Sequence, residues 1–446
     1  MAADFDVAVI GSGPLGAAAA RRLAEAGMRV LLLEEGPAIS DPPGAHLRNQ
    51  ARFQADPDSY LPEATGHLAF FDDSQPRDRL PGAAVTEAWG GQGTIWTNLC
   101  PRGDAPWDAL SAEAWDRYYQ IAESYLGVQA EGFERSIRQA RIKEKLSAVL
   151  SGEGRAVEAL PVAAQFGPDD ALHFTGPHDI WASCTGIIRR EGKAETLIYE
   201  NGQVRGVRLN GDTIEAAAFV VAGGAIGTPR LLHRSGIRPP ALGRWLSYHP
   251  LMVAQLVLDE SLCAAPGDAD RPPRLQIRPT PEAEWYSVVL RDVSPFQPEA
   301  PDQEVDPNRL VEIQGICPVD PREENGIRYD DASHPTFHVP LSAADQARME
   351  GAVADADALA QTLGRYRAGC RSTWMPFGFA HMTGTTRMSA QDDGTGVADF
   401  DGRVWGFENL YLATNGLIPT RMAVNPTLTG VALALHVADR LLSGGD

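Results

Sequence analysis

Paired cysteines are missing from this chain. Its five, Cys100, Cys184, Cys263, Cys317 and Cys370, stand singly, with no C-x-x-C spacing. That excludes a disulfide framework and reads as reduced thiols in a cytoplasmic protein. The ten histidines form no ligand-spaced cluster, and Pro335 separates His334 from His338, so no metal site is expected. No long apolar run could span a membrane, and no basic leader with an apolar stretch precedes the first strand-like run at residues 4–10. Positive charge is also scarce, with 39 Lys+Arg against 59 Asp+Glu and a net charge of −20. A nucleic acid or an anionic membrane surface is therefore excluded as a partner, because nothing basic could neutralise its phosphates. Internal repeats and low-complexity segments are absent as well. What remains is 446 residues, 43% hydrophobic and 22% charged, the composition of an ordinary globular protein with roughly two to three domains.

Local patterns supply the organisation. Residues 5–10 read as a short buried strand, 17–26 as a helix rich in Ala and Leu stopped by Gly27, and 30–33 as a second buried strand ending in Glu34. Together they make one βαβ unit. Residues 38–88 are rich in Pro, Asp and Gly and read as long irregular connections, and 111–126 carries a helical pattern. Two Asn-Gly pairs, Asn201-Gly202 and Asn210-Gly211, divide 194–215 into a three-stranded meander. A buried strand follows at 219–222, then Gly223-Gly224 and a helix expected to start at Thr228-Pro229, with Thr as cap and Pro at the first helical position. Strand-like runs at 253–258, 285–290 and 310–316 lie between Pro-rich loops. A helix capped by Ser342 spans 341–363, and a last one spans about 427–442. Nucleotide-type elements return near residues 11, 90, 223 and 415, which implies one discontinuous α/β domain and a second domain built from the inserts.

Chemistry concentrates in three places. Gly11, Gly13 and Gly16 form G-x-G-x-x-G between strand and helix. The first glycine allows the tight turn, the second admits backbone close to a pyrophosphate, and the third lets helix pack on strand. Glu34 would accept from a ribose hydroxyl and would repel a 2′-phosphate, leaving FAD or NAD rather than NADP. A second Gly-rich run, W-G-G-Q-G-T-I-W-T-N at 89–98, offers Gly90, Gly91, Thr94, Trp96, Thr97 and Asn98 either to a flat cofactor or to the packing of two elements. The third place runs from H-M-T-G-T-T-R-M at 381 to N-P-T-L-T at 425. His381 is either an ordinary core histidine or a base. Asn425 is either a helix cap or an amide turned into a cavity, and the helix opening at Thr427 would stabilise negative charge nearby.

These segments, in this order, resemble the glucose-methanol-choline flavoprotein oxidoreductases, and within them the pyranose oxidase branch. The likeness extends over A-W-G-G-Q-G-T-I-W-T-N, A-G-G-A-I-G-T-P-R-L-L, E-W-Y-S-V-V-L-R-D, H-P-T-F-H-V-P-L-S-A-A-D-Q-A and the stretch from His381 to Asn425-Pro426-Thr427. The resemblance implies an α/β, two-domain fold. A Rossmann-like FAD-binding domain would comprise 1–105, 180–249 and 380–446. The substrate domain, an antiparallel sheet with helices, would comprise 106–179 and 250–379. It further implies His381 as the catalytic base, Asn425 as its partner on the substrate hydroxyl, Thr97 near the flavin N5, and Asn415 on the flavin phosphates or ring.

Three departures refine that expectation. Ile95 stands where many pyranose oxidases carry the histidine linked to FAD, so noncovalent FAD is expected. Val288 and Leu290 replace a Gln and a His on the sugar-facing strand, while Asp292, Ser294 and Phe296 remain substrate-loop candidates. The chain is also shorter than the larger members, which leaves a monomer or small homo-oligomer as the expectation. These changes lean toward the glycoside 3-oxidases and C-glycoside oxidases. The resulting expectation is an FAD-dependent oxidase that turns a secondary ring hydroxyl of a sugar or glycoside into a ketone, with O2 as acceptor. A dehydrogenase passing electrons to a quinone, a non-redox flavoprotein such as a lyase or binding module, and a colourless NAD-only reductase are the alternatives.

Overall fold

The computed structural model describes residues 4–56, 59–71, 80, 82–103, 110–167, 171–265, 270–290, 305–375 and 380–444. The N-terminal unit forms as expected, with β1 (Phe5–Ile10), α1 (Pro14–Glu25) and β2 (Val30–Glu34). A five-stranded sheet grows around them in the order Leu410–Leu412, Ala216–Val221, β1, β2, Ile187–Glu191. Every pairing in it is parallel. Both faces of such a sheet are covered, which is why its central strands are continuous apolar runs rather than alternating ones. The buried run Ala17, Ala18, Ala19 and Ala20 keeps α1 slim where it packs on the C-terminal helix Thr427–Leu442. That last helix is apolar almost all round because it lies between α1 and the helix Ala112–Leu126.

A second sheet is antiparallel and larger. Its order is Gly364–Tyr366, Leu251–Leu258, Leu310–Ile316, Tyr286–Leu290, Arg274–Ile277, Val157–Ala159, with Thr373–Met375 also paired to Leu251–Leu258. Strand alternation gives it two different faces. Met252, Ala254, Leu256, Val289 and Ile313 join a core shared with the helices Ile137–Leu150 and Ala343–Leu363. Tyr286, Val288, Leu290 and Ile316 point the other way, into the core of the parallel half.

The meander forms at Ala194–Glu200, Gln203–Leu209 and Asp212–Ile214, with Asn201 and Asn210 at φ 50° and 52° as their turns require. Ser111 and Ser342 cap their helices, Ser342 in a reciprocal capping box with Asp345. Two expectations are corrected. Residues 38–88 hold short helices, Ala51–Ala55 and Tyr60–Gly66, and a hairpin of Leu68–Phe70 with Ala84–Thr86. Each is too brief for a periodic signal, and Leu47, Phe53, Tyr60 and Ala64 give the helical part its own small core.

The helix expected at Thr228 instead begins at Gly224 and runs Gly224–Arg234, with Pro229 inside it. Proline there withholds the N–H that would bond the Ala225 carbonyl. The Thr385 hydroxyl donates to that carbonyl instead, at 2.7 Å, so the break a lone sequence predicts is repaired from 160 residues away. Among the described residues, no helix is long and apolar enough to cross a membrane, and no group of three or more His, Cys, Asp or Glu could hold a metal ion.

Candidate active site

A cavity of about 400 Å³ lies between the two sheets. One wall is the nucleotide-type wall. Gly11 adopts φ 110°, and a Cβ there would meet the Ala222 carbonyl at 2.4 Å. A Cβ on Gly16 would meet the Gly11 carbonyl at 2.0 Å, so this glycine fixes how closely α1 sits on β1. Gly13 differs: nothing lies nearer its Cβ position than the Gly90 carbonyl at 4.0 Å, and it faces the cavity. Gly11 and Gly13 line the cavity, whereas Gly16 stands behind the wall as a packing residue.

Glu34 lines the cavity from the end of β2 but is already engaged. Its Oε2 accepts from the Ser12 N–H at 3.0 Å and the Ser12 hydroxyl at 2.6 Å, and Oε1 accepts from the Gly36 N–H at 3.0 Å. Burial pushes its pKa up, opposed by these donors. Oε1 keeps a second lone pair for a ligand. The Ser12 hydroxyl in turn accepts from the Gly90 N–H at 2.8 Å, tying the two Gly-rich segments together. Glu35 pairs with Lys193 at 3.6 Å, a partly exposed contact at the cavity rim.

The 89–98 segment divides between lining and support. Gly91, Ile95, Trp96 and Thr97 reach the cavity. Gly90, at φ 89°, and the buried Thr94 do not; the Thr94 hydroxyl donates to the Trp89 carbonyl at 2.9 Å and shapes the turn. Asn98 also stands behind the wall, its amide donating to the carbonyls of Ala163 and Thr175 at 2.9 Å each. Asn415 and Thr427 line the cavity together. Gly430 leaves room for the Asn415 amide, since a Cβ there would lie 2.0 Å from Asn415 Oδ1. That oxygen is buried without a partner among the described residues, an unmet acceptor at the cavity wall. Asp292, Ser294 and Phe296 lie outside the described residues.

On the opposite side, His381 and Asn425 meet. The Asn425 amide nitrogen lies 3.0 Å from His381 Nε2, although the two are 44 residues apart. The C-terminal helix takes Pro426 as its cap residue, so Asn425 caps nothing and its amide is free to turn into the cavity. Its Oδ1 is a second buried acceptor without a partner among the described residues. His381 itself sits at φ 62°, a left-handed conformation that bulky residues seldom adopt and that aims the ring inward.

Sequence reading missed the third member, His249. Its Nδ1 lies 3.1 Å from His381 Nδ1, and its Nε2 is bonded to the Met422 carbonyl. The only signal was a histidine before the proline that opens a strand, L-S-Y-H-P-L. Donor and acceptor roles follow by elimination. A carbonyl only accepts, so His249 carries its proton on Nε2 and a lone pair on Nδ1. His381 must then donate from Nδ1, which leaves its own lone pair on Nε2, facing the Asn425 N–H. Burial lowers both pKa values, that of His381 to about 4 and that of His249 well below 6.5, so both rings are neutral at neutral pH. The chain Met422–His249–His381 thus turns the Nε2 lone pair of His381 toward the cavity and the Asn425 N–H.

The loop holding Met422 and Asn425 is clamped to the antiparallel half. Arg421 donates to Asp320 at 2.9 Å and to Glu284 at 2.5 Å, and Arg348 binds the same two carboxylates from the other side at 2.5 and 2.9 Å. Such a network holds geometry more than it adds stability at this partly exposed position.

Residues 321–434 match the family described as GMC oxidoreductase, and residues 6–244 match the family described as FAD dependent oxidoreductase. A C-glycoside 3-oxidase from Microbacterium trichothecenolyticum is 30% identical over 98% of this chain and 97% of its own length. A pyranose 2-oxidase from Tricholoma matsutake is 29% identical over 98% of this chain and 93% of its own. Among solved structures, a formate oxidase from Aspergillus oryzae superposes with a TM-score of 0.70 at 15% identity, covering 99% of this chain and 98% of that one, a likeness of fold.

Proposed function

Because this chain belongs to the glucose-methanol-choline (GMC) oxidoreductases and is an FAD-dependent oxidoreductase acting on CH–OH donors, we propose that it is an oxidase of sugars or glycosides. It converts a secondary ring hydroxyl to a ketone while O2 becomes H2O2. The substrate class follows the relatives, a C-glycoside 3-oxidase and a pyranose 2-oxidase. The observation that carries the reading is the 3.0 Å contact of Asn425 with the lone-pair nitrogen of His381.

The cavity wall fits FAD. Gly13 leaves backbone open to a pyrophosphate, Asn415 offers an unmet buried acceptor, and the C-terminal helix starts at Thr427 beside it. Glu34 offers its remaining lone pair to a ribose hydroxyl. Gly91, Trp96 and Thr97 serve the flavin end, with Gly16, Gly90, Thr94 and Asn98 supporting them from behind. We assign residues 1–105, 180–249 and 380–446 to the FAD-binding domain and 106–179 with 250–379 to the substrate domain, with the helix Ala112–Leu126 of the latter packed on the C-terminal helix of the former. FAD is held noncovalently, because Ile95 offers no nucleophile where it lines the cavity. Acid precipitation should therefore release the yellow chromophore into the supernatant. Substrate and acceptor are small molecules, and the enzyme is a monomer or small homo-oligomer.

FAD, when bound, would supply a two-electron acceptor that oxygen can reoxidise. His381 Nε2 accepts the hydroxyl proton, with its ring oriented through Nδ1 by His249. Asn425 donates its amide N–H to the same oxygen and keeps the alcohol aligned. The histidine becomes charged only in the step that needs it, with the Nδ1–H bond to His249 strengthening as it does so. Anaerobic mixing of the holoenzyme with sugars, O-glycosides and C-glycosides tests the reading, by flavin bleaching and identification of the ketone. A flavin that no alcohol of this class bleaches overturns it. A dehydrogenase using a quinone would bleach equally but reoxidise slowly in oxygen.

A further inference from the structure

The Met422 carbonyl fixes the proton of His249, and through His249 it sets which nitrogen of His381 carries the lone pair. That carbonyl sits in the loop between Leu417 and the helix that starts at Thr427. Among the described residues, no backbone N–H or carbonyl from 419 to 425 is bonded to another backbone group. Neither helix nor sheet therefore places Met422, and its position depends on side chains. Met422 and Val424 bury theirs in the core of the parallel half. Apolar packing is non-directional, however, and leaves the aim of a carbonyl open.

Arg421 supplies the directional hold. Its Nη1 donates to Asp320 at 2.9 Å and its Nη2 to Glu284 at 2.5 Å. Glu284 precedes the strand Tyr286–Leu290 and Asp320 follows the strand Leu310–Ile316. The pairing of Tyr286 with Ile316 brings both carboxylates to one end of the sheet. Arg348, on the helix Ala343–Leu363, closes the ring from behind and also donates to Asp345 at 2.7 Å. Asp345 in turn accepts from the Asp320 N–H at 3.0 Å. A strand pair and a helix N-terminus thus share one charged ring, and Arg421 joins the loop to it. Ion pairs at partly exposed positions add little stability. Misplacing a reacting group by a small distance can cost much rate.

We propose that Arg421 is a positioning residue for proton removal, holding the Met422 carbonyl on His249 by its fork across Asp320 and Glu284. The ring carries the placement of the antiparallel sheet into the tautomer of the base. Asn425 is held separately, between the buried Val424 and the helix start. This rests on the oxidase reading above, in which the lone pair of His381 takes the hydroxyl proton.

The test is anaerobic stopped-flow reduction of FAD-loaded protein by D-glucose, methyl β-D-glucopyranoside or phenyl C-β-D-glucopyranoside, whichever bleaches the wild type. Arg421→Met should lower the limiting reduction rate roughly fivefold, the loss expected for His249→Phe. The sugar concentration at half-maximal rate and the FAD retained through gel filtration should stay at wild-type values. Combined with His249→Phe, it should cost nothing beyond His249→Phe alone, because both act through one contact. Arg421→Lys, which keeps the charge but not the fork, should recover only part of the rate. If Arg421→Met does not fold, Glu284→Ala takes its place, with a smaller loss that again vanishes in the His249→Phe background. A wild-type rate in the variant tested overturns the assignment. So does a loss of roughly twenty-five-fold in the double variant, which marks independent effects. Both results leave the oxidase reading intact. A wild-type flavin that none of the sugars, O-glycosides or C-glycosides bleaches overturns that reading, and this assignment with it.

Discussion

Nδ1 of His249 lies 3.1 Å from Nδ1 of His381, so the candidate base is backed by a neutral imidazole and not by a carboxylate. No fixed negative charge raises its basicity, and burial holds its pKa at about 4 instead of 6.5. Flavin reduction at limiting substrate should therefore be flat through neutral pH and fall only as pH drops through about 4. An acid limb near 6.5 would contradict this. Stability carries the same sign. A histidine whose folded pKa is depressed leaves the protein fully stable above 6.5 and costs stability progressively as pH falls toward 4. Melting temperature against pH measures that loss directly.

Replacing His381 with Ala removes the group placed to take the proton. FAD should stay bound while anaerobic reduction slows by roughly 10²–10⁴-fold. Asn425→Ala should slow reduction less, since it removes alignment and not the base. His249→Phe deletes an acceptor worth about 1 kcal/mol, or roughly fivefold in rate, by releasing the His381 ring and its tautomer. Rapid-mixing absorbance of the oxidised flavin separates these three magnitudes. Equal rates for His381→Ala and wild type would end the base assignment.

The sequence made the nucleotide half legible because its signals are local. A buried strand, three glycines and an acid lie within thirty-four residues of one another, and the structure keeps that order from β1 to Glu34. The Asn-Gly turns and the Ser111 and Ser342 caps were readable for the same reason. What failed depended on distant partners. The helix at Gly224 survives Pro229 only through Thr385, and no window around residue 229 contains that threonine. His249 looked inert because its meaning comes from His381, 132 positions away.

Thr385→Val tests that repair. It keeps the shape but removes the hydroxyl that satisfies the Ala225 carbonyl, in a fully buried residue. An unmet buried acceptor costs about 1–3 kcal/mol. The variant should show a lower denaturation midpoint with the denaturant slope unchanged. Thr385→Ser, which keeps the hydroxyl, should recover most of the loss. If valine and serine behave alike, the bond to Ala225 is not what holds the helix.

Gly13 and Gly16, two glycines of one fingerprint, should fail in different ways when replaced, and the difference separates fold from cofactor. A Cβ on Gly16 would lie 2.0 Å from the Gly11 carbonyl, so Gly16→Ala must push α1 off β1. Its apoprotein should unfold at a clearly lower temperature, by overpacking of about 1–3 kcal/mol. Gly13 has an ordinary φ of −59° and nothing within 4 Å of its Cβ position except the Gly90 carbonyl at that distance. Gly13→Ala should therefore leave the apoprotein as stable as wild type, yet place a methyl group where backbone must approach the pyrophosphate. Its melting curve without FAD should overlay wild type, while the FAD retained through gel filtration falls. Undiminished FAD binding by Gly13→Ala would mean that the dinucleotide does not cross the helix N-terminus at this glycine.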